Sequence, residues 1–167
     1  MEIHFELYQR KFKLIDADLY SFYKRTNAKD EKWHYVKLYK DKVYKQFKFT
    51  VDGKIRNVQY HRAVYYAHNQ DWDFYDTSKE NFIDHIEHQT GVPLDNSITN
   101  LRIVTNQENQ FNMDGVKGYT YIKKRGKYRA QIILNKKTIH LGYFITEAEA
   151  RQAYLDAKKI YHKIIPK

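Results

Sequence analysis

The chain has 167 residues, 42% of them hydrophobic, which is enough for one modest core or two small ones. Its 30 Lys and Arg outnumber 20 Asp and Glu, and the formal charge of +10 favours a polyanionic partner, nucleic acid first. A basic protein with solvated charged faces would have the same composition. The absence of Cys excludes disulfides and Cys-rich zinc sites, so oxygen or imidazole must hold any metal.

The first 70 residues predict an antiparallel sheet followed by a helix. Asp52 and Gly53 are typical of a hairpin turn. Residues 16–25 are ambiguous and could hold one helical turn, whereas His61–Asn69 has the apolar spacing of a helix. The predicted strands are Ile3–Tyr8, Phe12–Ile15, Trp33–Tyr39, Val43–Thr50 and Lys54–Tyr60.

The middle of the chain predicts a strand, a loop, a second strand and a short helix. Asn81–Ile86 and Leu101–Val104 are apolar runs, and turn-forming residues separate them. Thr105 and Glu108 have the spacing of a capping box, so a helix should cover Thr105–Met113.

The C-terminal part predicts three strands and one helix. The strands are Tyr119–Lys123, Tyr128–Leu134 and Thr138–Phe144, and a second capping box at Thr146 and Glu149 opens the helix. We therefore expect an α+β protein whose domains are residues 1–113 and 114–167, with the second a three-stranded sheet backed by one helix.

No apolar run approaches the roughly 20 residues that cross a bilayer. The N-terminus also lacks an apolar signal segment, so we expect an intracellular protein with no membrane partner.

Three side chains in the middle segment could carry phosphodiester hydrolysis. Asp84 and Asn109 offer hard oxygen ligands suited to Mg²⁺ or Mn²⁺, and a neutral His85 can take a proton from water. Neighbours on an ideal strand point to opposite faces, so the strand must end, bulge or twist at this pair. Asn100 could lock the loop and orient His85, and Arg102 could reach a phosphate or pair with an acid. On motif grounds alone, such a group is more often structural.

The same segment resembles the HNH endonucleases of phages and mobile introns. The resemblance implies a ββα-metal core in which Asp84 and Asn109 bind one divalent metal ion, His85 is the general base, and Asn100 is a supporting residue. From the oxygen donors and the absence of Cys, we expect that ion to be Mg²⁺ or Mn²⁺ and not zinc. The loop before Asn100 is a few residues longer than is usual in that family. The residues that carry the resemblance are Tyr60–Val64, Ile83–His85, Asp95–Asn96, Asn100–Thr105 and Glu108–Gln110.

The last segment resembles the APETALA-like DNA-binding domain of plant ethylene-response factors, which also occurs fused to HNH nucleases. The matching residues are Val116–Gly118, Lys127–Ile132, Leu141–Phe144, Thr146–Ala150 and Ala153–Tyr154. In that fold the sheet enters the major groove, and alternate side chains contact the bases.

A period of two along the central strand assigns its two faces. Ala130, Ile132 and Leu134 should face the helix, which leaves Arg129 and Gln131 on the open face with geometry suited to guanine and adenine edges. Thr138 and His140 should continue that face. We expect phosphate contacts from Lys117, Lys123, Lys124, Arg125 and Lys127, together with Lys136 and Lys137. For any one of these residues, a position in a solvent-exposed rim without phosphate contact is an equal alternative.

The resulting expectation is a metal-dependent HNH endonuclease of the homing or mobile-element type. It would cleave double-stranded DNA in a prokaryotic or phage-infected cell. The sequence leaves open a restriction endonuclease of the HNH class and a non-catalytic DNA-binding regulator. It also leaves open whether the protein is a monomer or a homodimer.

Overall fold

A computed structural model of the chain describes residues 1–41, 44–78, 81–87, 94–111 and 115–164. Within these ranges it contains twelve strands and three α-helices, and every strand pair whose register is defined is antiparallel. The expected mixed α+β class is therefore confirmed. The chain divides into two compact units, Met1–Ser78 with Ile83–Arg102 and Lys79–Phe82 with Ile103–Lys167.

The N-terminal sheet has four antiparallel strands: β1 (Glu2–Leu7), β2 (Arg10–Ile15), β3 (Asp18–Tyr23) and β4 (Lys32–Tyr35). The helical turn considered for residues 16–25 is wrong, because β3 occupies this segment. Leu19 and Ser21 are buried and alternate with the half-buried Tyr20 and Phe22. Since a serine occupies the buried row, the apolar alternation that marks a strand was interrupted.

A second sheet in the same unit contains β5 (Tyr39–Asp41), β6 (Tyr44–Val51) and β7 (Lys54–Gln59). A single N-terminal sheet is therefore a wrong prediction. The strand predicted for residues 33–39 is also wrong, because that segment divides between β4 and β5, which belong to different sheets. The predicted hairpin turn joins β6 and β7, and Asp52 and Gly53 adopt φ angles of 49° and 69°. The predicted strand start at Val43 lies outside the described residues.

Helix α1 (Tyr60–His68) confirms the predicted helix and packs against β1, β6 and β7. Strands β8 (Phe82–His85) and β9 (Leu101–Val104) form a two-stranded sheet, with a 3-10 turn at Ile98–Asn100 just before β9.

Helix α2 (Asn106–Phe111) follows β9. Its predicted capping box is present, because the Glu108 N–H donates to Thr105 Oγ1 at 3.1 Å and the Thr105 N–H donates to Glu108 Oε2 at 2.7 Å.

The C-terminal sheet consists of β10 (Tyr119–Ile122), β11 (Lys127–Leu134) and β12 (Lys137–Phe144), with β11 in the centre. Helix α3 (Glu147–Tyr161) packs across one face of this sheet and begins at the predicted capping box. Their common core includes Ala130, Ile132, Tyr154 and Ala157. Three strands backed by one helix are therefore confirmed for this segment.

Residues 113 and 114, where the predicted domain boundary falls, lie outside the described residues, so that boundary stays a prediction. Helix α2 belongs to the second compact unit, together with the C-terminal sheet. No helix within the described ranges is long and apolar enough to cross a membrane.

Candidate functional site

Strand β8 ends at the predicted Asp-His pair. Although neighbouring strand residues point to opposite faces, both side chains are buried, with relative exposures of 3% for Asp84 and 0% for His85. The next residue, Ile86, donates its backbone N–H to the Asn100 carbonyl at 2.8 Å. Of the three expected alternatives (an end, a bulge or a twist), the structure shows the end, because β8 stops at His85. We refer to Asp84, His85, Asn96, Asn100 and Arg102 as the His85 site.

The orientation of the His85 imidazole follows from its contact with Asn96. Asn96 Nδ2 donates to the Leu94 carbonyl at 2.9 Å, which leaves Asn96 Oδ1 directed at His85 Nε2, 3.2 Å away. Because an amide oxygen only accepts, Nε2 carries the hydrogen in this arrangement. The lone pair of the neutral ring is then on Nδ1. Asn96 was part of the HNH resemblance, but it was given no role there.

Two rings from distant parts of the sequence pack against His85. The Tyr44 ring, on β6, stacks at a centroid distance of 6.0 Å and an interplanar angle of 23°. The His61 ring, on α1, lies 5.1 Å away. Neither was a predicted site residue, and no spacing in the sequence links them to His85.

His61 itself is buried. Its burial, with smaller effects from His85 and Arg62, lowers the pKa of His61 to about 3, although a hydrogen bond with the Ile83 backbone opposes the shift. His61 is therefore neutral at physiological pH and places an uncharged ring beside His85.

Asn100 connects the two ends of the loop that follows β8. Its Oδ1 accepts the Glu87 N–H at 2.8 Å, and its Nδ2 donates to the carbonyls of Asp95 at 2.9 Å and Glu87 at 3.4 Å. The side chain is buried, so these bonds are shielded from water. These bonds join Glu87 to Asp95, and the contact on His85 Nε2, which was expected from Asn100, is made by Asn96. The locking of the whole loop stays a prediction.

Arg102 pairs with the buried carboxylate of the site. Its Nη2 lies 3.4 Å from Asp84 Oδ2. Of the two roles expected for Arg102, a phosphate contact or an ion pair with an acid, the structure therefore shows the ion pair. A cation beside a buried carboxylate offsets part of the cost of removing that charge from water. The predicted contact of Arg102 with DNA stays a prediction.

The donor chemistry of Asp84 and Asn109 fits a hard divalent cation, because both supply oxygen atoms. Asn109 is half-buried on α2 and belongs to the second compact unit. In the part of the chain that the structure describes, no group of three or more His, Asp or Glu side chains could hold a metal. A shared metal at Asp84 and Asn109 stays a prediction, and water or phosphate oxygens would complete the shell of such an ion, as they commonly do for Mg²⁺.

The open face of the C-terminal sheet carries the predicted base-contacting residues, and we call Thr120, Arg129, Gln131, Thr138 and His140 the open sheet face. Gln131 pairs with His140 across the strands, and Arg129 pairs with Thr120. The predicted alternation of β11 is confirmed at its centre, where Ala130 and Ile132 are buried and Ile133 is 58% exposed.

A bulge in β12 adds an aromatic residue to this face. Ala130 pairs with Gly142 and Gln131 with His140, so Leu141 is the additional residue. After the bulge, Tyr143 pairs with Arg129. The Tyr143 ring lies 4.9 Å from the His140 ring and 4.6 Å from the Arg125 guanidinium carbon. Tyr143 was not predicted, because period two without a bulge places it on the other face.

The remaining predicted phosphate contacts are exposed cations around this sheet. Lys123, Lys124 and Arg125 form a short 3-10 turn between β10 and β11. Lys117 precedes β10, Lys127 begins β11, and Lys136 and Lys137 lie at the hairpin between β11 and β12. Their role in binding phosphate stays a prediction.

Comparison of the chain with protein-family models, curated proteins and solved structures finds no match. Functional assignment therefore depends on the geometry of the His85 site and of the open sheet face.

Proposed function

We propose that this protein is a metal-dependent DNA endonuclease of the HNH type, with a ββα core formed by β8, β9 and α2. One observation carries the proposal: Asp84 and His85 end a strand, and three hydrogen bonds of the buried Asn100 side chain hold the backbone of Glu87, just after that strand, and of Asp95. Such fixed geometry is what a general base needs if it is to meet one particular water molecule.

In the proposed reaction, His85 accepts a proton from water at Nδ1 while Asn96 holds Nε2. The water oxygen forms a bond to phosphorus as the bond between phosphorus and the 3′ oxygen breaks. The 3′ oxygen leaves and takes a proton from solvent water, which gives a 5′-phosphate and a 3′-hydroxyl, and His85 returns its proton to solvent. Asn100 contributes by bonding to the backbone of Glu87 and Asp95, close in sequence to His85 and Asn96.

Asp84 and Asn109 would hold the Mg²⁺ or Mn²⁺ ion, whose Lewis acidity, when it is bound, stabilises negative charge on the scissile phosphate. Arg102, which pairs with Asp84, is a second positive charge available at this position. Both effects act on the charge that develops during the reaction.

The open sheet face is the proposed DNA-reading surface. Arg129 and Gln131 share a face of β11, His140 pairs with Gln131 on β12, and Thr138 pairs with Ile133 one step further along. Exposed cations lie around them. The formal charge of +10 favours the same partner, double-stranded DNA. A nuclease directed by such a surface suits a homing or mobile-element role, although restriction by the same chemistry is a role that the site would equally permit.

The burial of His85 favours a second candidate function. The side chain has no exposed surface, and hydrolysis requires that water reach Nδ1. A protein that binds DNA without cleaving it would use the same open sheet face and keep the His85 site as a structural core. The nuclease proposal requires instead that the packing over His85 open on the DNA complex.

Conversion of supercoiled plasmid separates the two functions. The wild type is incubated with Mg²⁺, Mn²⁺ or EDTA beside His85→Ala and Asn109→Ala, with Asn106→Ala as the matched control on the same helix. Metal-dependent nicked or linear product that only Asn106→Ala retains would support the nuclease. Plasmid that is bound in a gel shift but unchanged by the wild type would establish the DNA-binding protein.

A further inference from the structure

Helix α2, which carries Asn109, is attached to the C-terminal sheet by a pair of reciprocal hydrogen bonds. Gln107 Nε2 donates to Asn135 Oδ1 at 3.0 Å, and the Asn135 backbone N–H donates to Gln107 Oε1 at 2.9 Å. Both polar atoms of the Gln107 amide are therefore used by one residue of the β11–β12 turn. Such a pair fixes the direction of the side chain as well as its position.

A ring stack makes a second attachment one helical turn later. The Phe111 ring, which is buried, lies parallel to the His162 ring at a centroid distance of 3.9 Å and an interplanar angle of 10°. His162 is held in turn at the edge of β11, with Nε2 3.3 Å from the Ile133 carbonyl oxygen. We call Gln107, Phe111, Asn135 and His162 the α2 anchor.

The anchor residues and the proposed metal ligand occupy opposite sides of α2. Gln107 and Phe111 are four positions apart and share a face, while Asn109 lies roughly 200° around the helix from Gln107, at 3.6 residues per turn. A helix of six residues is too short to be stable alone, so its orientation depends on tertiary contacts. Contacts on the anchored face therefore determine where Asn109 points.

We propose that Gln107 and Phe111 are positioning residues, which fasten α2 to the C-terminal sheet and thereby fix the direction of the Asn109 amide, the proposed metal ligand on this helix. This inference rests on the proposed nuclease function. It assigns the C-terminal sheet a part in orienting a proposed metal ligand as well as in binding DNA.

The same turn connects the anchor to the substrate. Asn135 and Lys136 form the tight hairpin turn with φ angles of 51° and 62°, and Lys136 and Lys137 are among the predicted phosphate contacts. DNA bound at this turn would stabilise the backbone that holds Gln107. We therefore expect cleavage to depend on the C-terminal sheet even on DNA of arbitrary sequence.

The test compares Gln107→Ala with Gln110→Ala, a matched change at an exposed position of the same helix. Both make the same change in helix propensity, so their difference reports the bonds to Asn135. Gln107→Ala should lower kcat for plasmid cleavage roughly 10- to 100-fold, as is typical when a partner that orients a metal ligand is lost. KM and the DNA dissociation constant from gel shifts should change less than about twofold, because the open sheet face is unaltered.

Two further measurements distinguish positioning from a loss of folding. Asn135→Gly keeps the positive φ and the backbone donor while removing Oδ1, so its effect should lie between those of the two Gln variants. Mn²⁺ binding, followed by electron paramagnetic resonance with a phosphorothioate duplex that resists cleavage, should weaken in Gln107→Ala while the melting temperature stays near that of Gln110→Ala.

Equal kcat and equal Mn²⁺ binding in the two Gln variants would overturn the inference while leaving the nuclease intact. Absence of any cleavage by the wild type would overturn the proposed function, and the inference with it. The two failures are distinguished by the wild-type reaction alone.

Discussion

The His85 site and the open sheet face use polar residues in opposite ways. At the His85 site, Asp84, His85 and Asn100 are buried. Asp84 pairs with Arg102, His85 contacts Asn96, and Asn100 bonds to the backbone of Glu87 and Asp95. On the open sheet face, Thr138 and His140 are exposed and Arg129 is half-buried. Buried polar networks respond to substitution with large and coupled losses, whereas exposed groups contribute smaller and nearly additive amounts. Stability and activity should therefore change together at the first region and separately at the second.

The largest effect on stability should come from acid, through His61. Its pKa falls from the usual 6.5 to about 3 in the folded protein, so between these values the unfolded chain binds a proton that the native protein does not. The stabilisation is complete above pH 6.5 and is lost as the pH falls towards 3, by up to about 1.4 kcal/mol per pH unit. Urea unfolding from pH 7 to pH 4 measures this dependence.

His61→Gln is the variant for the same measurement, because glutamine stays uncharged across the range. Its free energy of unfolding should depend less steeply on pH than that of the wild type. His140→Gln, on the open sheet face, is the matched control and should leave the slope unchanged. If the free energy of unfolding depended on pH equally in the wild type and in His61→Gln, the lowered pKa of His61 would not be the cause of the acid sensitivity. The His85 site and the open sheet face would then not differ in this respect.

Asn100→Ala should be the next largest change. It removes three hydrogen bonds and leaves the Glu87 N–H and the Asp95 carbonyl without that partner, at a cost of about 1–3 kcal/mol in the free energy of unfolding. Thermal and urea unfolding measure this loss, with the exposed Thr99→Ala as control. A loss no greater than in the control would show that the loop is not held by Asn100.

Arg129→Ala tests the open sheet face and should leave stability nearly unchanged. If Arg129 reads a base, DNA affinity should fall by about 1–3 kcal/mol and discrimination at one base position should relax. Selection of bound sequences from a random pool, followed by gel shifts, measures both effects. Unaltered discrimination with weaker binding would reassign Arg129 to phosphate contact.

Single lysines of the 3-10 turn should have the smallest effect. Lys123→Gln and Lys124→Gln should each reduce the slope of log K against log salt by about 0.9 if the residue contacts one phosphate. Titration of a fixed duplex between 50 mM and 200 mM salt measures the slope. A slope equal to that of the wild type would place the lysine in the solvated rim.

Local signals in the sequence predicted the elements well. Both capping boxes form as expected, at Thr105 with Glu108 and at Thr146 with Glu149, because each depends on residues only three positions apart. The turn at Asp52 and Gly53 is likewise determined by two adjacent residues. The buried row of β11 follows from simple alternation.

Features that depend on distant residues or on irregular strands could not be predicted in this way. Tyr44 and His61 reach His85 from a strand and a helix far away in the sequence, and a single sequence contains no signal of that proximity. Ser21 lies in the buried row of β3 and interrupts the apolar alternation by which a strand is recognised. The bulge at Leu141 places Tyr143 on the open face, which simple alternation does not predict. Whether Asn109 joins Asp84 around a metal stays a prediction.

The α2 anchor has a consequence for the association of the protein with itself. Strand β10 pairs with β11 only as far as Ala130, so the second half of β11 has an edge that no strand covers in the described ranges. Along that edge, Ile133 and Asn135 are instead capped by His162 and Gln107. An uncovered strand edge is a template for pairing between chains. Helix α2, for which we propose a part in catalysis, therefore also protects the sheet against edge-to-edge aggregation. A fragment that begins after α2 would lose the contact of Gln107 with Asn135 and keep that of His162 with Ile133.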